Sequence, residues 1–364
     1  MINNALNKTS KQASFLLAGL IALGAACSAP AKKEAEEETQ EVVEAPAEKT
    51  NFHPSEGSIE VIDESLKELI NTEAGIEVLA GGFKWTEGPE WIEDGQYLLF
   101  CDIPQNTIFK WKEGDSTSVY LTPSGYTGTG DEERREPGSN GLMLNAEGQL
   151  LLCQHGDRRI AIMDADLSNP SPNYITVADN FDGKKLDSPN DLDIHSNGDI
   201  YFTDPPYGLP QQHNDPTKEM DFQGAYRWSA QDGTVSLLCD SLTRPNGVTL
   251  SLDEKQAYVA NSDPEKSVWM VFDIEEDGSF ANGRLFYDSS PEVGKAPGLN
   301  DGMDIDANGN LFATGPGGVW IFSPEGKLLG KIKTGQPTAN CTFSDDYQYL
   351  YITANSYLVR VKIR

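Results

Sequence analysis

Cysteine and histidine are scarce in this sequence, which has five cysteines and four histidines in 364 residues. No Cys-x-x-Cys motif occurs, so a His/Cys zinc cluster has no support. The four cysteines beyond the N-terminal region are far apart and lie in apolar, strand-like stretches. A disulfide framework is the alternative in an exported protein, but these surroundings favour small buried core residues. The four are Cys101, Cys153, Cys239 and Cys341.

Positive charge is also scarce, since 28 Lys and Arg residues stand against 57 Asp and Glu residues, for a formal net charge of -29. We therefore expect no nucleic-acid partner, because phosphates need Lys and Arg to displace their counterions. The Gly-x-Ser-x-Gly motif is missing, and a serine-hydrolase mechanism has no support. Helical periodicity is almost absent, and DESLKELI at residues 63–70 is the one predicted helical turn.

The first 57 residues predict export and attachment. An apolar run ending in Cys27 is too short to span a membrane and resembles a secretory signal. We assign residues 1–26 to a lipoprotein-type signal peptide and Cys27 to lipidation, although Gly24 takes the place where Leu is usual. An ordinary signal peptide is the alternative. Residues 27–57 predict a disordered acidic tether, so we expect a membrane-anchored protein in the periplasm or at the cell surface.

A repeat runs through the rest of the chain. The stretch NDLDIHSNGDIYFTD at residues 190–204 contains a polar head residue, an apolar strand, an Asn-Gly turn and a second apolar strand. Five further copies occur, with heads roughly 40 to 55 residues apart, a spacing that leaves room for four strands per copy. We predict an all-β fold, a six-bladed β-propeller with four-stranded blades, over residues 58–364. The heads are Glu87, Asn140, Asn190, Asn246, Asp301 and Asn340.

One copy imitates a calcium-binding loop. Residues 304–309 read DIDANG, which matches the opening of an EF-hand. That loop requires Glu at its twelfth position, where this chain has Gly315. The Asn-Gly pair is therefore predicted to form a hairpin turn.

Rotation about the propeller axis predicts that the six heads meet at one end of the central channel. Glu87, Asn190, Asn246 and Asp301 offer only oxygen donors, which suit a hard cation such as Ca²⁺ or Mg²⁺. A cation between the two carboxylates would relieve their repulsion. The alternative is that these residues cap turns, as Asn and Asp commonly do. Asn140 and Asn340 either bind substrate or complete a turn.

The second strand of each copy returns the chain to the same end of the channel. His155, Asp204 and Tyr207 follow such strands, and we predict that they contribute to the site. Asp204 is a candidate base or a turn residue, and His155 a sugar-binding or turn residue. Arg134 and Arg135 lie in the polar segment GTGDEERREPGS, which we interpret as a solvated loop, with a lid for an acidic substrate as the alternative.

Together, the motifs EGPEW, SPNDLDI, RPNG and NDGMDIDANGNLF resemble those of the SMP-30/gluconolactonase/LRE-like family. The resemblance covers roughly residues 75–364 and implies a six-bladed propeller. It also implies one divalent metal, Ca²⁺ first and Mg²⁺, Mn²⁺ or Zn²⁺ as alternatives, held by Glu87, Asn190, Asn246 and Asp301.

The activity that the resemblance implies is hydrolysis of a sugar lactone. The metal would polarise the carbonyl, Asp301 would accept the proton of the attacking water, and Asn140, His155, Tyr207 and Asn340 would bind the substrate. Phosphotriester hydrolysis on the same metal is one alternative, because fold alone cannot separate the two activities. A propeller that binds a ligand without turning it over is another, against which the two acidic heads argue.

Overall fold

The computed structural model describes residues 53–129 and 134–363. The predicted signal peptide, Cys27 and the tether up to residue 52 lie outside the described residues. Within the described part, no helix is long and apolar enough to cross a membrane.

An N-terminal strap precedes the repeats. It consists of β1 (Ser58–Val61), α1 (Leu66–Leu69), which confirms the predicted helical turn, and β2 (Ile76–Gly81). Residues 53–57, which the sequence assigns to the disordered tether, belong to the described part of the chain. Pro54 starts a 3-10 turn and is buried, a local contact that the composition of the whole segment does not reveal.

Six antiparallel sheets follow, each built mainly from consecutive strands, and the last two also contain β1 and β2 of the strap. Blade 1 has β3 (Thr86–Ile92), β4 (Tyr97–Asp102), β5 (Thr107–Trp111) and β6 (Ser118–Leu121). Blade 2 has β7 (Ser139–Leu144), β8 (Leu150–Gln154), β9 (Arg159–Met163) and β10 (Tyr174–Ala178). A separate hairpin contains β11 (Asn180–Phe181) and β12 (Lys184–Lys185). Blade 3 has β13 (Leu192–Ile194), β14 (Ile200–Asp204), β15 (Gly224–Trp228) and β16 (Val235–Cys239).

The second half repeats the arrangement. Blade 4 has β17 (Pro245–Leu250), β18 (Gln256–Asp263), β19 (Lys266–Ile274) and β20 (Phe280–Asp288). Blade 5 has β21 (Met303–Ile305), β22 (Leu311–Gly315), β23 (Gly318–Phe322) and β24 (Leu328–Lys333). Blade 6 has β25 (Thr338–Phe343), β26 (Tyr349–Ala354) and β27 (Tyr357–Lys362). The remaining 3-10 turns are Glu93–Gly95, Ile103–Gln105, Gln212–Asn214 and Ser290–Glu292.

Contacts between the innermost strands run in the order β3, β7, β13, β17, β21 and β25, and β25 contacts β3 again. The strap completes the ring, because β2 pairs with β27 as the outermost strand of blade 6. The predicted six-bladed propeller is therefore confirmed. Blade 5 differs from the predicted four strands, because β1 pairs with the edge of β24 and adds a fifth.

Apolar side chains of adjacent blades form the core. Among the described residues, one buried cluster lies between each pair of neighbouring blades. Three of the four cysteines in the propeller are buried and none forms a disulfide, whereas Cys239 is half-buried. The DIDANG segment forms the predicted hairpin turn: the Asp306 carboxylate accepts the backbone N–H groups of Asn308 and Asn310 at 2.8 and 2.9 Å.

We expect the strap to stabilise the ring without contributing to the site. Leu66 is fully buried in the cluster between blades 5 and 6, so Leu66→Ala should lower the free energy of unfolding by about 2–5 kcal/mol. Urea unfolding followed by circular dichroism measures this change. The control is Leu252→Ala at an exposed position, expected to change stability by less than about 0.5 kcal/mol. Equal effects of the two substitutions on the free energy of unfolding would contradict a stabilising role for the strap.

Candidate functional site

Local irregularities turn the head residues toward the channel. The pairing of β3 with β4 shifts register between Glu87 and Glu90, and that of β17 with β18 between Pro245 and Val248. Similar shifts occur at the heads of blades 2 and 6. A bulge bends its strand and re-aims the side chains there. In blades 3 and 5 the head comes before the inner strand, which begins two residues later.

Glycine follows four of the six heads because the next blade leaves no room for a side chain. A Cβ atom on Gly88, whose φ is +47°, would lie 2.0 Å from the carbonyl oxygen of Asn140. A Cβ atom on Gly247 would lie 2.3 Å from the carbonyl oxygen of Asp301. Successive heads are thus in backbone contact around the ring, as glycine permits.

The two acidic heads share a low-dielectric environment. Glu87 is buried, and burial, reinforced by the charge of Asp191, raises its pKa from 4.5 to about 8. Asp301 is partly exposed, and desolvation followed by the charge of Glu87 raises its pKa well above the ordinary range. Both groups therefore favour the neutral form unless positive charge is supplied nearby.

The amide heads add oxygen atoms to this cluster. Asn246 hydrogen-bonds through its side chain to Asp301, while its Oδ1 atom is buried without a hydrogen-bond partner among the described residues. An orphaned buried oxygen costs stability unless a ligand satisfies it. Asn190 is also buried, and its backbone carbonyl accepts the Gly141 N–H at 2.8 Å. The donor set fits a hard cation.

The two remaining amide heads differ in their engagement. Asn140 is buried at the ring next to Gly88. Asn340 accepts the Cys341 N–H through Oδ1 at 2.8 Å, and its side chain fills the space beside Gly302. Of the two, Asn340 is therefore committed to local structure.

Asp204 braces the backbone of its own blade. Its carboxylate oxygens accept the N–H groups of Asp187 and Ser188 at 2.8 and 2.7 Å, and the residue is buried. Asp102 binds Lys84 N–H in blade 1 in the same way. The sequence-based suggestion that Asp204 is a second base therefore meets a geometry in which its oxygens are already occupied.

His155 lies beneath the site surface. The ring is fully buried, and a backbone hydrogen bond with Glu136 opposes the effect of burial on its pKa. Burial lowers its pKa to about 3, so the ring is neutral. Direct contact with a substrate, as predicted from the sequence, would require the residues that bury the ring to move, because none of it is exposed. Glu136 Oε2 is 3.9 Å from His155 Nδ1.

Tyr207 lies in the loop after β14, and the charge of Asp301 acts on it. It is partly exposed, hydrogen-bonds to the Ser262 side chain, and has a raised pKa because of burial and the charge of Asp301. The phenol therefore keeps its proton and can act as a hydrogen-bond donor.

Two acidic residues escaped the sequence analysis. Asp191 stands where four other blades have glycine, and its charge raises the pKa of both Glu87 and Asp301. Glu136 comes from the long loop before β7, and its charge also raises the pKa of both acidic heads. The exception to the head-glycine pattern could have revealed Asp191. Glu136 lies in a loop outside the repeated hairpins, so the repeat pattern gives no signal for it.

A second set of carboxylates lies further along the inner strands, three residues after the heads of blades 1, 3 and 5. Glu90, Asp193 and Asp304, from blades 1, 3 and 5, accept backbone N–H groups of the next blade at 2.9, 2.7 and 3.1 Å. They line a channel cavity of about 190 Å³. Because they bind blade to blade, their role is structural.

These features define a class: a six-bladed propeller with buried carboxylates and amides at one end of its channel. The SMP-30/Gluconolactonase/LRE-like region model matches residues 85–356, and the chain belongs to this family. It is an enzyme of the gluconolactonase and lactonohydrolase type. The recognition made from the sequence is confirmed.

Relatives agree with this assignment. The gluconolactonase of Zymomonas mobilis is 39% identical over 328 residues, covering 88% of this chain and 90% of the relative. The solved gluconolactonase of Xanthomonas campestris has a TM-score of 0.71 at 28% identity, covering 84% of this chain and 95% of that one. A regucalcin of Agrobacterium tumefaciens shares the fold, with a TM-score of 0.60 at 16% identity over 79% of this chain and 95% of that one.

The buried carboxylates should make the metal-free protein less stable as pH rises. The pKa of Glu87 is raised from 4.5 to about 8, so the folded state binds the extra proton in this window. Its contribution to stability is complete below about 4.5 and is lost as pH approaches 8. Thermal unfolding in the presence of a chelator should show this fall, and Glu87→Gln should reduce it.

Glu276→Gln is the matched control, because Glu276 is exposed, and it should leave the pH profile unchanged. A metal-free protein that gains stability between pH 5 and 8 would contradict the electrostatic account.

Proposed function

We propose that the protein hydrolyses a sugar lactone of the glucono-1,5-lactone type. The observation that carries the proposal is the ring of head residues, in which Glu87 and Asp301 lie with the Oδ1 atom of Asn246, which has no hydrogen-bond partner in the described part of the chain. The gluconolactonases of Zymomonas mobilis and Xanthomonas campestris support this choice of substrate.

The proposed metal ligands are Glu87, Asn190, Asn246 and Asp301. Among residues 53–129 and 134–363, no group of three or more His, Cys, Asp and Glu side chains is placed to hold a metal ion. Amide oxygens must therefore complete the ligand set, which favours Ca²⁺, with Mg²⁺, Mn²⁺ or Zn²⁺ as alternatives. The regucalcin of Agrobacterium tumefaciens is described as a calcium-binding protein. A bound divalent cation supplies Lewis acidity toward the lactone carbonyl and offsets the repulsion between the two carboxylates.

The chain's own groups provide proton transfer and orientation. Asp301, which is partly exposed at the ring, accepts the proton of the attacking water. Asp301 suits that role better than Asp204, because backbone N–H groups already bind both carboxylate oxygens of Asp204. Tyr207 donates a hydrogen bond to the substrate, and Asn140 lies beside the ring to orient it. Asn340 and His155 do not contact the substrate in this proposal, and they help to hold the surrounding site residues in place.

The test uses chelated protein and glucono-1,5-lactone at near-neutral pH, with proton release corrected for spontaneous ring opening. Adding back one of the four cations should restore turnover. Asp301→Ala should lower kcat/KM by about 10²-fold or more, because it removes both a ligand and the proton acceptor, and metal binding measured by calorimetry should weaken in parallel.

Asp115→Ala, an exposed substitution in the turn between β5 and β6, is the control and should retain full activity. Tight binding of a cation without turnover of any lactone would overturn the proposal and direct the search to phosphotriesters. Turnover of none of these substrates would favour a binding function.

We also propose that the protein is exported and attached to a membrane through a lipid on Cys27. Cys27→Ser should move it from the detergent phase to the aqueous phase in Triton X-114 partitioning and remove incorporation of labelled palmitate. Cys239→Ser is the control, because Cys239 is a half-buried residue of the propeller. Aqueous partitioning of the unmodified protein would refute the attachment.

A further inference from the structure

The loop between β6 and β7 is fastened at both of its described ends. Asn106 Oδ1 accepts the N–H groups of Ser124, Gly125 and Tyr126 at 3.0, 2.7 and 3.2 Å. Ser124 Oγ in turn accepts the Ser139 N–H at 3.1 Å. These bonds fix the outgoing part of the loop to the part that returns to β7.

Tight packing joins the same two parts. A Cβ atom on Gly125 would lie 2.1 Å from the carbonyl carbon of Gly138. The Asp157 carboxylate binds both the N–H and the hydroxyl of Thr127, at 3.1 and 2.7 Å. Glu136 lies two residues before Gly138, next to the part of the loop that these contacts fasten.

The Glu136 side chain is oriented toward the site. It is only 18% exposed, and its Oε2 lies 3.9 Å from Nδ1 of the buried His155 ring. The His155 side chain in turn packs against the loop that carries Tyr207, because a Cβ atom on Gly208 would lie 2.5 Å from the His155 Cβ. The charge of Glu136 also acts on the site, since it raises the pKa of Glu87, Asp301 and Tyr207. The solvent-exposed Arg135 contacts Glu136 Oε1 at 3.3 Å and does not enclose it.

Glu136 has no part in the set of head residues, so it is available for another task. A lactone presents its carbonyl to the heads, and its hydroxyl groups must face the remaining wall of the mouth. Hydroxyls are donors that pair strongly with a carboxylate acceptor. A carboxylate on the loop complements them, whereas an apolar lactone offers this acceptor no donor.

We propose that Glu136 accepts hydrogen bonds from the ring hydroxyls of the substrate and selects polyhydroxylated lactones over unsubstituted ones. This inference rests on the proposed lactonase function and deepens it. Glu136 is a specificity residue that contacts the substrate away from the reacting carbonyl, and His155 is the neutral platform beneath it.

The experiment compares glucono-1,5-lactone with δ-valerolactone, which has the same six-membered ring without hydroxyls, measured as a substrate or a competitive inhibitor. Glu136→Ala should raise KM for glucono-1,5-lactone about tenfold or more, the loss of one charge-assisted hydrogen bond. The kcat should stay within about twofold, and the constants for δ-valerolactone should not change. Glu136→Gln should restore part of the affinity, because the amide oxygen still accepts.

Glu276→Ala is the matched surface control, and calorimetry of cation binding separates substrate recognition from an effect on the metal site. Equal losses on both lactones, a weakened cation affinity in Glu136→Ala, or unchanged KM values would each overturn the inference while leaving the lactonase function intact. An inactive wild-type protein on every lactone would instead overturn the proposed function, and this inference with it.

Discussion

The innermost strands of neighbouring blades approach so closely that backbone atoms, rather than side chains, meet around the channel. The Gly302 N–H donates to the Ala339 carbonyl at 2.7 Å, and the Gly141 N–H to the Asn190 carbonyl at 2.8 Å. Further along the strands, Glu90 and Asp193 bind the backbone of the next blade. This contact sets the width of the channel, and thereby brings heads from distant parts of the chain into one site.

Burial of like charges is the second consequence of that narrow ring. Several carboxylates line the channel, and desolvation is the largest cause of the raised pKa at Glu87, Asp191 and Asp301. Such a cluster opposes folding when ionised and favours whatever positive charge can enter. The carboxylates destabilise the end of the channel that carries the site, while apolar clusters between the blades stabilise the fold.

Polar residues at the start of the inner strand and at the end of the second strand have different roles, although they look alike in the sequence. Polar residues that begin the inner strand face the channel, whereas Asp102, Asp204 and Asn261, at the ends of second strands or within them, bind backbone N–H groups of their own blades. Sequence reasoning placed both groups at the same end of the channel, as the structure does. It could not distinguish a free carboxylate from one with both oxygens occupied, because that depends on partners 16 or 17 residues away.

The sequence by itself determined the number of blades, the closure of an all-β ring and the identity of the inward-facing heads, because each follows from a period that the chain repeats. Only the tertiary structure decided what lies outside that period. It showed that β1 adds a fifth strand to blade 5, that His155 is fully buried, and that the charge of Glu136 acts on Asp301. The physical reason is that a repeat specifies positions related by rotation, whereas the strap and the loop before β7 occur once, and their placement depends on packing and hydrogen bonds made after the ring has closed.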